Sequence, residues 1–278
     1  MAALTEDRVR AIVYRTRGSK HGPITRLVSP GDLGELIKPF VFLDLFDFTP
    51  TADRQTFGIH PHSGIATVTV MLEGRLEYED TTGAKGILST GGVEWMSAGN
   101  GVWHDGVALD RVPVRGFQLW VALPAADENA PARSIYCAAA QIPQDGPARV
   151  VLGSCGDARS AIPSPASMTY LSVELQDGEQ WRYVPPPEHD VAWVAVESGR
   201  LDAGEPVDAG ELAVFDDSGA SIEFVAQGRT RFVLGSAARH PHELVLGRYS
   251  VHTSRQSLER GEEEIARIGR RLRLEGRL

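Results

Sequence analysis

The distribution of glycine and proline constrains the fold of this chain more than any other feature of its sequence. The 278 residues include 29 Gly and 17 Pro, which are spread along the chain rather than gathered in one tail. Both residue types disfavour long helices, and both mark the tight turns that join short strands. The sequence therefore predicts an all-β protein made of many short antiparallel strands.

The strand-length segments form two blocks with the same rhythm. The first block has segments at 65–72, 75–80, 85–88, 93–96, 102–104 and 116–122, and the second at 168–175, 181–184, 191–197, 212–215, 221–225 and 230–234. Such spacing, with a turn signal between neighbours, is typical of small antiparallel barrels and jelly rolls. We therefore predict two β-barrel domains in tandem, at 1–134 and 135–278, with a polar connector at 124–134.

Both ends of the chain carry further signals. Residues 5–28 predict an opening strand pair with a turn in the middle. Residues 258–274 switch to helical periodicity, with Ile265, Ile268 and Leu272 on one face and otherwise charged residues. We expect a short, solvated C-terminal helix within the second domain.

Composition and charge exclude several classes of function. Hydrophobic residues make up 42 % of the chain, which is enough for a packed core, and the formal net charge is -9. An acidic surface repels phosphate, so we expect no direct nucleic-acid partner. No apolar run is long enough to span a membrane, and the first residues lack the apolar stretch of a signal peptide. The expected location is the cytoplasm.

The two cysteines, Cys137 and Cys155, lie too far apart in sequence for a Cys-x-x-Cys metal pair. A disulfide between them has no support, and we expect two buried thiols in a reducing compartment. The alternating apolar neighbours of Cys137 indicate a core position rather than a nucleophile.

Three histidines form the sharpest candidate site. His60 and His62 are separated by Pro61, and on an extended segment residues i and i+2 point the same way. His104 follows at the end of another predicted strand, which an antiparallel barrel can bring alongside. Three neutral imidazoles suit Fe, Mn, Ni, Cu or Zn. We therefore predict a metal site at these three histidines.

A second His-x-His pair, His240 and His242, shows how weak the spacing is by itself. Apart from His252, no third histidine is near this pair in sequence, and the pair follows the second strand block. Without a convergent third ligand, a loop pair is the better interpretation. The isolated His189, in a proline-rich turn, is expected to be a surface residue with a structural role.

The surroundings of the first histidines resemble a known family. Residues 57–64 (FGIHPHSG) and 91–104 (GGVEWMSAGNGVWH) resemble the two metal-binding motifs of pirins. Shorter likenesses occur at 39–44 and 262–265. The resemblance is strong over residues 38–121 and weak over 135–237.

The resemblance implies a fold of two stacked cupin barrels with one mononuclear iron in the N-terminal barrel. It also implies four ligands, of which His60, His62 and His104 match the first three. The fourth family ligand, a glutamate, is replaced here by Gly106. Asp105 is adjacent, but neighbouring strand residues face opposite ways, so it could coordinate only from a bulge. A water molecule is the other candidate for this position.

Two further glutamates lie near these motifs in the sequence. Glu73 is expected to be a hairpin residue, and Glu94, between two apolar residues of a strand, is expected to face outward. The C-terminal domain carries no metal motif and is expected to be metal-free.

Two functions follow from this interpretation. The first is a metal-dependent dioxygenase of the quercetin 2,3-dioxygenase type, acting on a small aromatic substrate, since some pirins cleave flavonols with O2. The second is a non-catalytic, regulatory pirin-like protein that binds a protein partner and holds metal weakly or not at all. The three histidines favour the first function and Gly106 the second.

Overall fold

The structure, a computed structural model, describes residues 9–278 of a mainly β chain. The strands of the first half are β1 (Ile12–Thr16), β2 (Ser19–His21), β3 (Ile24–Val28), β4 (Phe40–Phe48), β5 (Gln55–Thr56), β6 (His60–His62), β7 (Ile65–Glu73), β8 (Arg75–Asp80), β9 (Lys85–Ser89), β10 (Val93–Ser97), β11 (Val102–Ala108), β12 (Val114–Ala122) and β13 (Arg133–Cys137). A short helix, α1 (Leu33–Ile37), precedes β4, and a 3-10 turn (Ala139–Gln141) follows β13.

The second half continues in the same way. Its strands are β14 (Gln144–Asp145), β15 (Ala148–Leu152), β16 (Ser154–Cys155), β17 (Ala158–Arg159), β18 (Met168–Leu175), β19 (Gln180–Tyr183), β20 (Val191–Asp202), β21 (Pro206–Asp208), β22 (Leu212–Phe215), β23 (Ile222–Ala237), β24 (Val245–Leu246) and β25 (Val251–His252). The chain ends with helix α2 (Arg255–Leu274). The predicted mainly β chain with a C-terminal helix is therefore confirmed.

The chain divides into two compact units, each assembled from separate stretches of sequence. One unit contains residues 9–19 and Pro143–Arg239, and the other contains Lys20–Ile142 and His240–Leu278. The predicted boundary between residues 134 and 135 differs from this division at both ends of the chain. The opening strand β1 pairs with β22, and α2 belongs to the unit that contains the three histidines.

Packing explains why both terminal segments depart from the prediction. Strands β2 and β3 continue the sheet of β4, whereas β1 pairs with β22, so the predicted opening pair is split. Its residues 5–8 lie outside the described part of the chain. Helix α2 is not fully solvated, because Ile265, Ile268 and Leu272 are buried as the periodicity predicts. The Nε1 atom of Trp103 also donates to the Ile265 carbonyl at 3.0 Å.

The histidine-bearing unit is built on two sheets. The larger sheet has the strand order β13-β10-β7-β12-β4-β3-β2, and the smaller has β5-β11-β8-β9 with β6 paired to β11. The first seven residues of β4 are all buried, so its dense apolar run is core as predicted. This packing fixes the strands that border the candidate site.

The other unit is organised around a sheet with the order β1-β22-β20-β23-β18-β15-β14. Residues 222–225 and 230–234, which were predicted within two separate strands, belong to the single strand β23, in which Gly228 has φ +76°. Along residues 9–278 each sheet runs between open edges, so the two closed barrels of the prediction are not confirmed. Neither α1 nor α2 is long and apolar enough to cross a membrane.

Candidate metal centre

Two paired strands bring the three predicted histidines together. His60 and His62 lie on β6, which pairs antiparallel with β11, and His104 of β11 is directly opposite His60. Residues i and i+2 of a strand share a face, as do residues directly opposite across a pair. One ring nitrogen from each histidine therefore lies within 4.8 Å of the other two.

Hydrogen bonds orient the imidazole rings. The Nδ1 atom of His60 lies 2.7 Å from the Gly58 carbonyl oxygen, and Nδ1 of His62 lies 3.0 Å from the Tyr249 carbonyl oxygen. A carbonyl can only accept, so these Nδ1 atoms carry the proton and the Nε2 atoms present their lone pairs. The Nε2 atoms of His60 and His104 are 3.1 Å apart. Among the described residues, the buried Nε2 of His62 has no hydrogen-bond partner.

Burial keeps all three imidazoles neutral. Loss of solvation, reinforced by the neighbouring His60, lowers the pKa of His62 to about 3. The same two causes, together with His62, hold the pKa of His104 well below its ordinary value. Burial also lowers the pKa of His60, although Gly58 and Asp105 oppose the shift. Neutral imidazole is the form that binds a metal ion, so no proton has to be displaced near neutral pH.

The donor set and its geometry fit a divalent cation. Imidazole nitrogens bind first-row metals at about 2.0–2.1 Å, which places two ligands of one ion about 3.0–3.4 Å apart. The 3.1 Å between Nε2 of His60 and Nε2 of His104 falls in this range. The partnerless Nε2 of His62 would otherwise be a buried polar atom at an energetic cost. These three residues are therefore a consistent set of ligands for one metal ion.

A cavity of about 300 Å³ opens beside the histidines. Its apolar wall includes Phe42, Phe46, Leu76, Tyr78, Leu88 and Trp120. Phe42 and Trp120 stack at 4.1 Å between ring centroids, and the Trp120 ring meets the His62 ring edge to face at 4.8 Å. The size and composition are those of a small-molecule pocket, and the aromatic walls suit a flat ligand.

Glu94 lies in this cavity, contrary to the prediction that it faces outward. Its side chain is buried and lines the pocket, where Thr69 Oγ1 donates to it at 2.5 Å and the Tyr136 hydroxyl at 3.2 Å. Burial raises the pKa of Glu94 to about 6, although both hydrogen bonds act in the opposite direction. The prediction failed because the neighbours Val93 and Trp95 are also buried, so alternation could not identify the solvent face.

The segment before α2 supplies contacts that the sequence did not reveal. Tyr249 holds His62 through its carbonyl oxygen, a backbone atom with no sequence signal. The next residues extend the contact, since His252 Nε2 lies 2.9 Å from Ser63 Oγ and His252 Nδ1 lies 3.4 Å from Glu128. All three of these side chains are buried. The segment thus fixes the strand on which His60 and His62 lie.

Comparison with known proteins identifies the family. The family model described as Pirin matches residues 23–121. A protein of Pseudomonas aeruginosa, provisionally named a quercetin 2,3-dioxygenase, is 30 % identical over 258 residues, which cover 87 % of this chain and 90 % of the relative. The chain belongs to the pirin family. The predicted resemblance of this chain to the pirins is therefore confirmed.

Solved structures support the fold of this pirin. The crystal structure of a quercetin 2,3-dioxygenase from Acinetobacter baumannii matches with a TM-score of 0.85 and 23 % identity, over 94 % of this chain and 98 % of the other. A bacterial pirin, YhhW from Escherichia coli in complex with nickel(II), matches with a TM-score of 0.63 and 20 % identity, over 80 % and 95 %. At these identities the likeness concerns the fold alone.

Gly106 lies where the family resemblance predicts a fourth ligand. Gly106 lines the cavity, and a Cβ atom placed on it would meet Phe57 Cδ2 at 3.4 Å, an ordinary contact. A side chain is therefore sterically tolerated there but absent. Both carboxylate oxygens of Asp105 accept from Thr56 Oγ1, at 2.9 and 2.7 Å. Asp105 is not part of the metal-ligand cluster found in the described residues.

The remaining histidines of this pirin are outside the cluster. His240 is buried with its Nε2 atom 3.2 Å from the Leu123 carbonyl oxygen, whereas His242 is exposed. His189 has a structural role as predicted, but it is buried rather than on the surface. Its two ring nitrogens lie 3.0 Å from Ser167 Oγ and 2.8 Å from Ser236 Oγ.

The cysteines and Glu73 are also outside the candidate site. Cys137 and Cys155 are free thiols, of which Cys137 is buried and Cys155 half-buried. Burial, with the nearby Asp145, raises the pKa of Cys155 to about 11, which argues against a reactive thiolate. Glu73 ends β7 just before the turn at Gly74, as expected for a hairpin residue.

Proposed function

We propose that this pirin is a metal-binding cupin protein in which His60, His62 and His104 hold one divalent metal ion at the wall of the cavity. The observation that carries the proposal is the convergence of three neutral imidazoles, one of which, His62, has a buried Nε2 atom without a partner in the described chain. Each compact unit is proposed to be one cupin barrel, and only the unit with the three histidines is proposed to bind metal.

Iron is the proposed resident metal, in keeping with the family resemblance. Three imidazoles accept several first-row ions, and availability decides between them. The bacterial pirin crystallised with nickel(II) supports a first-row divalent ion in this fold. The two free thiols support a reducing compartment, the cytoplasm, as the place where the metal is acquired.

The proposed activity is the oxidative cleavage of a small aromatic compound by O2, as in quercetin 2,3-dioxygenases. A redox-active ion bound here would supply a coordination position for a phenolate oxygen and the means to react with O2. The aromatic wall of Phe42 and Trp120 would hold a flat ring system and exclude water. The names of the Pseudomonas relative and the Acinetobacter neighbour support this substrate class.

One observation favours the second function, a regulatory protein that binds a protein partner. Gly106 leaves β11 without the carboxylate that the family uses as a ligand and proton acceptor. If nothing else supplies that charge, the metal is held more weakly and the flavonol lacks its base. Under this alternative the protein recognises a partner without turnover.

Turnover separates the two functions. Protein loaded with Fe(II) is expected to consume quercetin only when O2 is present, with O2 uptake matching loss of the flavonol absorbance. His104→Ala is expected to fall to the background of metal-free protein, because it removes one of three ligands. Fully loaded protein that consumes neither quercetin nor O2 would contradict the dioxygenase proposal and favour the regulatory function.

A further inference from the structure

The carboxylate that is missing from β11 has a counterpart on a neighbouring strand. Glu94 of β10 lies opposite Thr69 of β7 on one side and Tyr136 of β13 on the other. Its side chain is only 7 % exposed. Its Oε1 atom lies 4.0 Å from Nδ1 of His104. The cavity therefore contains a buried carboxylate on the far side of a proposed ligand.

We propose that Glu94 is the carboxylate of this metal centre and acts as a positioning residue through His104. In this role it replaces the charge that Gly106 does not provide. The inference rests on the proposed metal site, and it adds a residue and a mechanism that the histidines alone do not contain.

The orientation of the His104 ring supports this role. Its Nε2 atom faces Nε2 of His60 at 3.1 Å, so its Nδ1 atom points away from the proposed ion and toward Glu94. Metal-binding histidines usually donate their second ring N–H to a carboxylate, a carbonyl or a water. A carboxylate in this position fixes the tautomer, makes the imidazole a stronger ligand and adds negative charge close to the cation.

The three histidines are not equivalent in this respect. Nδ1 of His60 and Nδ1 of His62 each face a neutral backbone carbonyl, whereas Nδ1 of His104 faces a carboxylate. The 4.0 Å separation is about 1 Å longer than a hydrogen bond. A small rotation of the ring as it binds the ion closes this gap, and catalytic contacts of this kind often tighten only in the occupied site.

Thr69 and Tyr136 hold the carboxylate in place for this contact. Thr69 Oγ1 donates to Oε2 of Glu94, and the Tyr136 hydroxyl donates to Oε1, the oxygen that faces His104. The Tyr136 hydroxyl also lies 3.3 Å from Asp80, which ties it to a second buried acid. Glu73, by contrast, lies outside the candidate site and pairs with Arg115, so it is the control.

The test compares Ni(II) affinity, measured by competition with a chelator, between the parent and Glu94→Gln. Glutamine keeps the size of the side chain and removes the charge, and we expect an affinity loss of about 10- to 100-fold, the usual effect of a partner behind a ligand. Glu73→Gln, the control, removes a charge at the end of β7 that does not line the cavity, and it is expected to bind within about twofold of the parent.

A second change distinguishes a role at the metal from a merely structural one. Adding Gly106→Glu to Glu94→Gln places a carboxylate at the family position, where a Cβ finds ordinary contact distances. We expect Ni(II) affinity to return toward that of the parent. The same Gly106→Glu change is made in the parent, where it is expected to raise the affinity by a smaller factor because Glu94 already supplies a charge. An equal factor in both backgrounds would mean that Glu94 has only a structural role.

The outcomes separate this inference from the proposed function. If the parent binds Ni(II) and Glu94→Gln binds equally well, the role of Glu94 is overturned and the three-histidine site stands. If the parent binds no metal, both are overturned. If Glu94→Gln does not fold, Glu94→Asp is measured instead. It retains the charge, and its affinity is expected to exceed that of Glu94→Ala, whereas equal affinities would overturn the inference.

Discussion

Replacing His62 by alanine should weaken binding of a divalent metal by more than about 100-fold, since even a residue behind a ligand contributes about 10- to 100-fold. His62 is 1 % exposed, and its Nε2 atom is the one with no partner within residues 9–278. Alanine leaves two imidazoles, His60 and His104, which cannot enclose an ion. The measurement is Ni(II) or Fe(II) affinity by chelator competition.

The chain contains its own matched control for this prediction. His242 is the second histidine of the other His-Pro-His sequence, but it is exposed and outside the ligand cluster. His242→Ala is expected to leave the affinity unchanged, and its backbone carbonyl still accepts from Lys38 Nζ. If His62→Ala and His242→Ala lost metal affinity equally, the ion would be bound by histidine pairs in general and not by the cavity site.

The largest effect on stability is expected from Gly64→Ala. Gly64 follows the His60–His62 strand with φ +73°, and a Cβ there would lie 2.1 Å from the Val251 carbonyl oxygen and 2.7 Å from the His252 ring. The backbone conformation alone costs about 1–2 kcal/mol for alanine, and the clash adds about 1–3 kcal/mol. We expect a loss of about 3 kcal/mol or more, and a melting temperature lower by at least about 6 °C.

Gly83→Ala is the control that isolates the clash. Gly83 has a similar backbone conformation, φ +94°, but nothing lies within 4 Å of its Cβ position. Only the conformational cost of about 1–2 kcal/mol should appear. Thermal unfolding of the two variants would show a clearly larger shift for Gly64→Ala. Equal shifts would contradict the close contact between this glycine and the segment before α2.

Much of the fold could be predicted from the sequence, because turns and short strands have characteristic local residue patterns. Glycine spacing predicted strands such as β8 and β18 with their observed bounds. The prediction of strand pairing failed where the partner strand is distant in sequence. Residues 12–16 of β1, for example, pair with β22 some two hundred positions away. The buried face of helix α2 was likewise predicted correctly, but its assignment to the histidine-bearing unit depends on tertiary packing, which the sequence does not show.

The candidate site was predictable to a similar extent. The three histidines were found because i, i+2 spacing survives in a strand and the family motifs fix the third residue. Glu94 was assigned to the wrong face, since alternation does not reveal which side of a sheet encloses a cavity. The Tyr249 carbonyl is a backbone atom and has no residue-specific signal at all.

The most direct test of the central claim is the metal content of the parent protein, purified without a histidine tag and reconstituted with Fe(II). Elemental analysis should find about one equivalent of iron, or of another first-row metal, per chain, as expected when one site of neutral imidazoles is preformed. Absence of stoichiometric metal after reconstitution would contradict the account, because the buried Nε2 atom of His62 would then have no role at a cation.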